Sequence, residues 1–225
     1  KWSAAEALVR WRRDGRILAA SEFIQVAESA SLILPLGRWV LSRACRDAVR
    51  WPKIDGVEMA VRVNLSARQF DDPSLLSKIE ETLDRSGLEP ARLCLEITET
   101  TLMREGTDTI AVLRRLKELG VGLAIDDFGT GYSSLSYLKR FPLDVLKIDR
   151  SFVEGLPDER VDAAIVGAIA SLAQALGLEV VGEGVETLAQ QEALAQLGVT
   201  RLQGWLYSKA VPQPEFLDLI ARPPS

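Results

Sequence analysis

Two adjacent aspartates, Asp126 and Asp127, close the apolar run Val121-Gly122-Leu123-Ala124-Ile125, and Gly129-Thr130-Gly131 follows close behind. Neighbouring carboxylates repel, so a pair at a strand end needs a positive partner. Other strand-like runs carry polar groups of the same kind. Glu6 lies in Ala5–Val9, Asn64 ends Met59–Asn64, and Glu96 sits late in Leu93–Ile97. Lys147 lies in Val145–Ile148, Glu183 ends Glu179–Glu183, and Gln203 lies in Leu202–Leu206. One strand-end carboxylate alone usually just meets solvent, but a polar group in every run is a pattern. Glu6, Glu96, Asp126, Asp127 and Glu183 bring five negative charges against one from Lys147. With Asn64 they form an all-oxygen donor set, suited to hard ions such as Mg²⁺ or Mn²⁺ rather than zinc or copper. Two such ions would roughly neutralise the cluster, and a two-metal site suits phosphoryl transfer.

The runs that position these residues are short and aliphatic, and longer helical patterns separate them. Val161, Ile165, Ala168, Ile169, Leu172 and Leu176 recur at helical steps, and Gly177 provides a C-cap. The segment from Thr107 to Leu119 behaves similarly and stops at Gly120. Asp71-Asp72-Pro73 reads as a cap with a first-turn proline, opening a helix toward Leu83. Alternating strands and helices predict an α/β protein with a mainly parallel sheet. Seven such units favour a closed barrel, whose strands would bring their C-terminal ends to one mouth. The 225 residues fit one domain of that kind.

Composition narrows the chemistry. The chain has no histidine, so Ser-His-Asp triads, His-rich zinc sites and imidazole bases are excluded. Its net charge of −5 disfavours duplex nucleic acid as a ligand. The two cysteines, Cys45 and Cys94, suggest no disulfide framework, and Cys94 reads as a core residue. No apolar run reaches the length of a membrane span, and no signal peptide is evident. Three further features have weaker readings. Arg10 follows Glu6 by four residues, which on one strand would share its face and could hold a phosphate oxygen. Arg12, Arg13 and Arg16 read as a solvated loop. Lys147 could instead form a Schiff base, but surrounding carboxylates oppose the neutral amine that needs.

Taken together, these residues resemble the EAL-domain family, the phosphodiesterases of cyclic di-GMP. The resemblance is carried by EALVRW at 6–11, VNLSARQF at 63–70, LEITE at 95–99, DDFGTGYSSL at 126–135, LKIDRSFV at 146–153, EGVET at 183–187 and QG at 203–204. It implies a TIM-like (β/α)8 barrel, with the strand that usually precedes the EAL signature missing from this chain, and a single EAL-type domain over 1–225 excised from a longer protein. It implies two-metal hydrolysis of cyclic di-GMP to linear pGpG. Glu6, Asn64, Glu96, Asp126, Asp127 and Glu183 would be ligands of two Mg²⁺ or Mn²⁺ ions, and Glu6, Lys147 and Glu183 the catalytic groups. Lys147 would hold the attacking water, and either Lys147 or Glu183 would take its proton. Arg10, Leu8, Asp127 and Gln203 would contact or support the substrate. Glu99 would anchor the DDFGTG loop, which the family links to metal occupancy and to a homodimer. Sensory or GGDEF-type domains are expected alongside, in a cytoplasmic or membrane-anchored protein. The alternative is a catalytically quiet cyclic di-GMP receptor, although every motif acid is present. The segment 12–20 is shorter than usual in the family, and Gln25 and Gly182 also depart from its pattern.

Overall fold

In the computed structural model, residues 2–104, 108–131 and 138–221 are described. The chain forms two compact units. One comprises Lys1–Glu96, Arg115–Val121 and Pro212–Ser225, the other Ile97–Arg114 and Gly122–Val211.

In the first unit, β1 (Ala4–Glu6), β4 (Ala60–Asn64) and β5 (Leu93–Thr98, whose last two residues belong to the second unit) lie side by side and parallel. Glu6 pairs with Arg62 in register, and Asn64 pairs with Glu96. All three strands therefore deliver a polar side chain at or near their C-terminal ends. Helix Ile33–Ala48 packs on helix Leu75–Ser86 and on β4, burying Leu41, Ala44, Cys45 and Ile79. Burial pushes the Cys45 thiol up to about 12, so it serves as a small core residue. Cys94 is buried as well.

The first strand is shorter than expected. It ends at Glu6, and Arg10 opens a separate strand, so the two do not share the face of one strand. Arg10–Arg13 (β2) and Arg16–Ala19 (β3) form an antiparallel hairpin where a solvated loop was expected. Its turn is Asp14-Gly15, both residues at positive φ (49° and 75°), as a two-residue hairpin turn requires.

In the second unit, β6 (Gly122–Phe128), β7 (Val145–Ile148), β8 (Glu179–Gly182) and β9 (Arg201–Leu202) are consecutive and parallel. Among these, only β9 is much shorter than its expected run. Helix Arg160–Leu176 packs on β7 and β8 and ends at Gly177, which has a φ of 74°. It buries Val166, Ile169, Ala170 and Ala173, while Val161 and Ala168 of the expected stripe are exposed. Helix Thr109–Glu118 stops before Gly120, as read from the sequence, whereas its expected start at Thr107 lies outside the described residues. Among the described residues, no helix is long and apolar enough to cross a membrane.

The expected cap and first-turn proline, Asp72-Pro73, sit two residues before the observed N-cap Ser74 and first helical residue Leu75. Asp72 nonetheless organises the entry. Its Oδ1 accepts from the Ser74 amide at 2.9 Å and hydroxyl at 2.6 Å, and its Oδ2 from Lys78 Nζ at 2.8 Å. Lys78, then Ser74, hold this carboxyl well below the ordinary carboxylate range. A lowered native pKa adds stability above the unfolded value of about 4 and loses it as pH falls further. Asp72→Asn should therefore lower stability at pH 7 by about 1 kcal/mol. The gap from wild type should shrink below about pH 4, which chemical denaturation across a pH series would measure.

Candidate active site

An ordinary strand sends successive side chains to opposite faces. Asp126 and Asp127 break that rule. The pairing of β6 with β7 shifts register between Ile125 and Phe128, and Asp127 adopts a φ of 53°. A bulge of this kind re-aims side chains, and aspartate tolerates the left-handed region better than most residues. The Asp127 amide donates to Asp126 Oδ1 at 3.1 Å, which steadies the turn. As a result, carboxylate oxygens of Asp126, Asp127 and Glu183 all lie within 4.8 Å of one another. Glu183 is held just past β8, where its amide donates to the Ile148 carbonyl at 3.2 Å.

Lys147 stands at the centre of this group. It projects from β7, is 1% exposed, and reaches Asp126 Oδ1 at 2.9 Å and Glu183 Oε1 at 2.8 Å. A buried ammonium between two carboxylates offsets their mutual repulsion. Engagement with two carboxylates disfavours the free amine that the Schiff-base reading needs. The donor atoms are oxygens only and at short mutual range, on one buried, one half-buried and one exposed side chain, so Asp126, Asp127 and Glu183 could hold a hard metal ion.

Gln203 follows β9. Its amide donates to Gly182 O at 2.9 Å and its carbonyl accepts from the Val185 amide at 3.0 Å, tying it to the Glu183 segment. Gly204 fits beside this turn because a Cβ there would lie 2.1 Å from Val185 O.

The loop after the aspartates is held from below. Glu99, buried at the start of helix Glu99–Leu102, accepts the Gly129 amide on Oε2 at 2.9 Å. A Cβ at Gly131 would lie 2.8 Å from Glu99 Oε1, and one at Gly129 would lie 2.7 Å from the Phe152 ring. Both glycines are thus required by close packing, and Gly129 also by its φ of 100°. The remainder of the expected motif, 132–135, lies outside the described residues.

The first unit presents its own polar group. Asn64 Nδ2 donates to Glu6 Oε1 at 2.6 Å. Glu96, 1% exposed, has Arg62 Nη1 at 3.9 Å from its Oε1. Arg62 is itself buried, and the sequence reading passed over it. A charged residue inside the run Met59–Asn64 was the available signal. Leu8 is 42% exposed, and Arg10, also exposed, donates to the Val9 carbonyl at 2.9 Å.

The EAL-domain family model matches residues 1–210, and the chain belongs to that family. It is 45% identical over 217 residues to the bifunctional diguanylate cyclase/cyclic di-GMP phosphodiesterase MucR of Pseudomonas aeruginosa, covering 96% of this chain and 32% of that protein. It is 38% identical over 212 residues to the cyclic di-GMP phosphodiesterase PdeR of Escherichia coli, covering 94% and 32%. The solved structure of the PaMucR phosphodiesterase in complex with c-di-GMP superposes with a TM-score of 0.89 at 45% identity, covering 95% of this chain and 87% of that one. The chain spans about a third of the length of the curated relatives it matches. Its fold class is α/β of the TIM-like barrel kind, as its sequence implied.

The loop anchor can be tested by stability alone. Glu99→Ala should cost about 1–3 kcal/mol by leaving the Gly129 amide without its acceptor, and Glu99→Gln clearly less because an amide oxygen can still accept. Thermal and urea unfolding of both variants would check the order.

Proposed function

We propose that this chain is a metal-dependent phosphodiesterase that opens one diester of cyclic di-GMP to give linear pGpG. The observation that carries the reading is the Asp126–Lys147–Glu183 arrangement with Asp127 beside it, in a chain of the EAL family. The naming of MucR and PdeR as cyclic di-GMP phosphodiesterases supports the choice of substrate.

In this reading Asp126, Asp127 and Glu183 of the second unit hold divalent metal, as do Glu6, Asn64 and Glu96 of the first, for two Mg²⁺ or Mn²⁺ ions in all. When bound, the ions supply Lewis acidity that activates water and offsets charge on the phosphoryl oxygens. Lys147, already donating to two carboxylates, orients the attacking water as a hydrogen-bond donor and does not remove its proton. Glu183 is left to accept that proton, its carboxylate being placed by the same lysine. The water oxygen forms the new bond to phosphorus as the bond to the 3′ oxygen breaks. The product then carries a 5′ phosphate at one end and a free 3′ hydroxyl at the other. Arg10 and Leu8 meet the substrate, and Gln203 supports the Glu183 segment. The Glu99-anchored loop couples metal occupancy to a homodimer contact. The chain acts as one EAL-type domain of a longer, multidomain, cytoplasmic or membrane-anchored signalling protein, with sensory or GGDEF-type neighbours.

Chromatography of nucleotides after incubation with cyclic di-GMP and Mg²⁺ or Mn²⁺ tests this. Wild type should release pGpG only with metal. Glu6→Ala and Lys147→Met should each reduce turnover by at least about a hundredfold. Tight binding of cyclic di-GMP with no pGpG at any metal concentration would replace the enzyme reading with that of a receptor.

A further inference from the structure

Within the second unit, the segment that carries Lys147 and the segment that carries Glu183 meet at three successive points. The Lys147 ammonium bonds Glu183 Oε1 at 2.8 Å. The Ile148 carbonyl accepts the Glu183 amide at 3.2 Å. The stem of Arg150 then lies against Gly184, where a Cβ would sit 2.6 Å from Arg150 Cγ, 2.8 Å from its Cβ and 3.0 Å from its Cδ. Two points of attachment define an axis about which a turn can still rock. A third removes that freedom.

Gly184 is where the chain turns after Glu183. Its φ of 69° lies in the left-handed region that favours glycine. The next amide, that of Val185, donates to the Gln203 carbonyl at 3.0 Å. Gly184 has no side chain to pack at this point, and the methylenes of Arg150 cover it instead. Arg150 is itself held. It opens helix Arg150–Val153, directly after β7, and its Nε donates to the Glu154 carboxylate four residues on. Glu154, and after it Glu186 and Asp149, favour the charged guanidinium. The side chain is 55% exposed overall, so it sits at the surface of the site and not in the core.

The geometry points to Arg150 as a positioning residue for Glu183. Its stem clamps the turn that follows the carboxylate, and its ion pair with Glu154 keeps the stem in place. This rests on the reading of Glu183 as the proton acceptor of a phosphodiesterase site. Arg150 acts through Glu183, by fixing the direction in which the chain leaves it. A carboxylate that rocks misaligns proton transfer from the attacking water, so the loss falls on kcat and not on substrate binding.

The test compares Arg150→Ala, Arg150→Met and Arg150→Lys in the intact chain, by amide hydrogen exchange without metal and by steady-state kinetics with Mn²⁺. In Arg150→Ala the amides of Glu183 and Val185 should exchange at least about fivefold faster than in wild type, while those of helix Arg160–Leu176 keep their rates. Its kcat should fall about tenfold with KM changed less than about twofold. Arg150→Lys, which keeps both stem and charge, should recover most of both losses. Arg150→Met, which keeps a stem alone, should recover part. Wild-type exchange at Glu183 and Val185 in Arg150→Ala would overturn the assignment, whatever the kinetics. Equal acceleration throughout the second unit would overturn it too, because the effect would then be a general loss of stability. So would a raised KM at unchanged kcat, which would make Arg150 a substrate contact. Faster exchange confined to this turn, in a chain that releases no pGpG even as wild type, would uphold Arg150 as the clamp on Glu183 and overturn the hydrolytic reading instead.

Discussion

The constraint on which the second unit depends is the gathering of three carboxylates around one buried ammonium. Asp126, Asp127 and Glu183 place oxygens within 4.8 Å of one another, and Lys147 bonds two of the three. Left unbalanced, such a group would lose its charge or unfold its surroundings. Lys147 balances it in part. The charge that remains, two carboxylates in excess of the ammonium, would favour a cation there.

That arrangement explains the backbone around it. Two consecutive aspartates can serve one site only if the strand departs from its alternation, and the bulge between Ile125 and Phe128 with Asp127 at positive φ is that departure. A backbone held in an uncommon region costs about 1–3 kcal/mol and persists only where neighbours fix it. Here the fixing groups are visible. Glu99 takes the Gly129 amide, Phe152 closes on Gly129 at a distance that admits no Cβ, and Thr130 Oγ1 donates to the Asp127 carbonyl at 2.8 Å. The first unit solves a smaller problem of the same kind with hydrogen bonding and a nearby cation, Asn64 on Glu6 and Arg62 near Glu96.

The sequence showed these features unevenly, for physical reasons. The strands that bear Asn64, Glu96, Asp126 and Lys147 were legible because buried parallel strands read as aliphatic runs, and a polar residue stands out in them. The bulge was not legible, since nothing in Asp126-Asp127-Phe128 declares a register shift. The β2–β3 hairpin was overlooked because both its strands are charged and largely exposed, which hides any alternation, although Asp14-Gly15 is a recognised turn pair. The stripe on helix Arg160–Leu176 was displaced by about one residue because alanines and aliphatics surround that helix, so periodicity alone did not choose the face. Arg62 escaped notice because attention fell on strand ends, and it lies two residues short of one.

The central claim is that the Asp126, Asp127 and Glu183 group is a metal site and not merely an ion-paired structural cluster. Differential scanning calorimetry of the protein against increasing Mn²⁺, beside Asp127→Asn, tests it most directly. A bound ion stabilises the native state in proportion to the logarithm of its free concentration. The account predicts a melting temperature that climbs with Mn²⁺ in wild type and climbs far less in Asp127→Asn. Equal responses in the two proteins, or none in wild type, would contradict it.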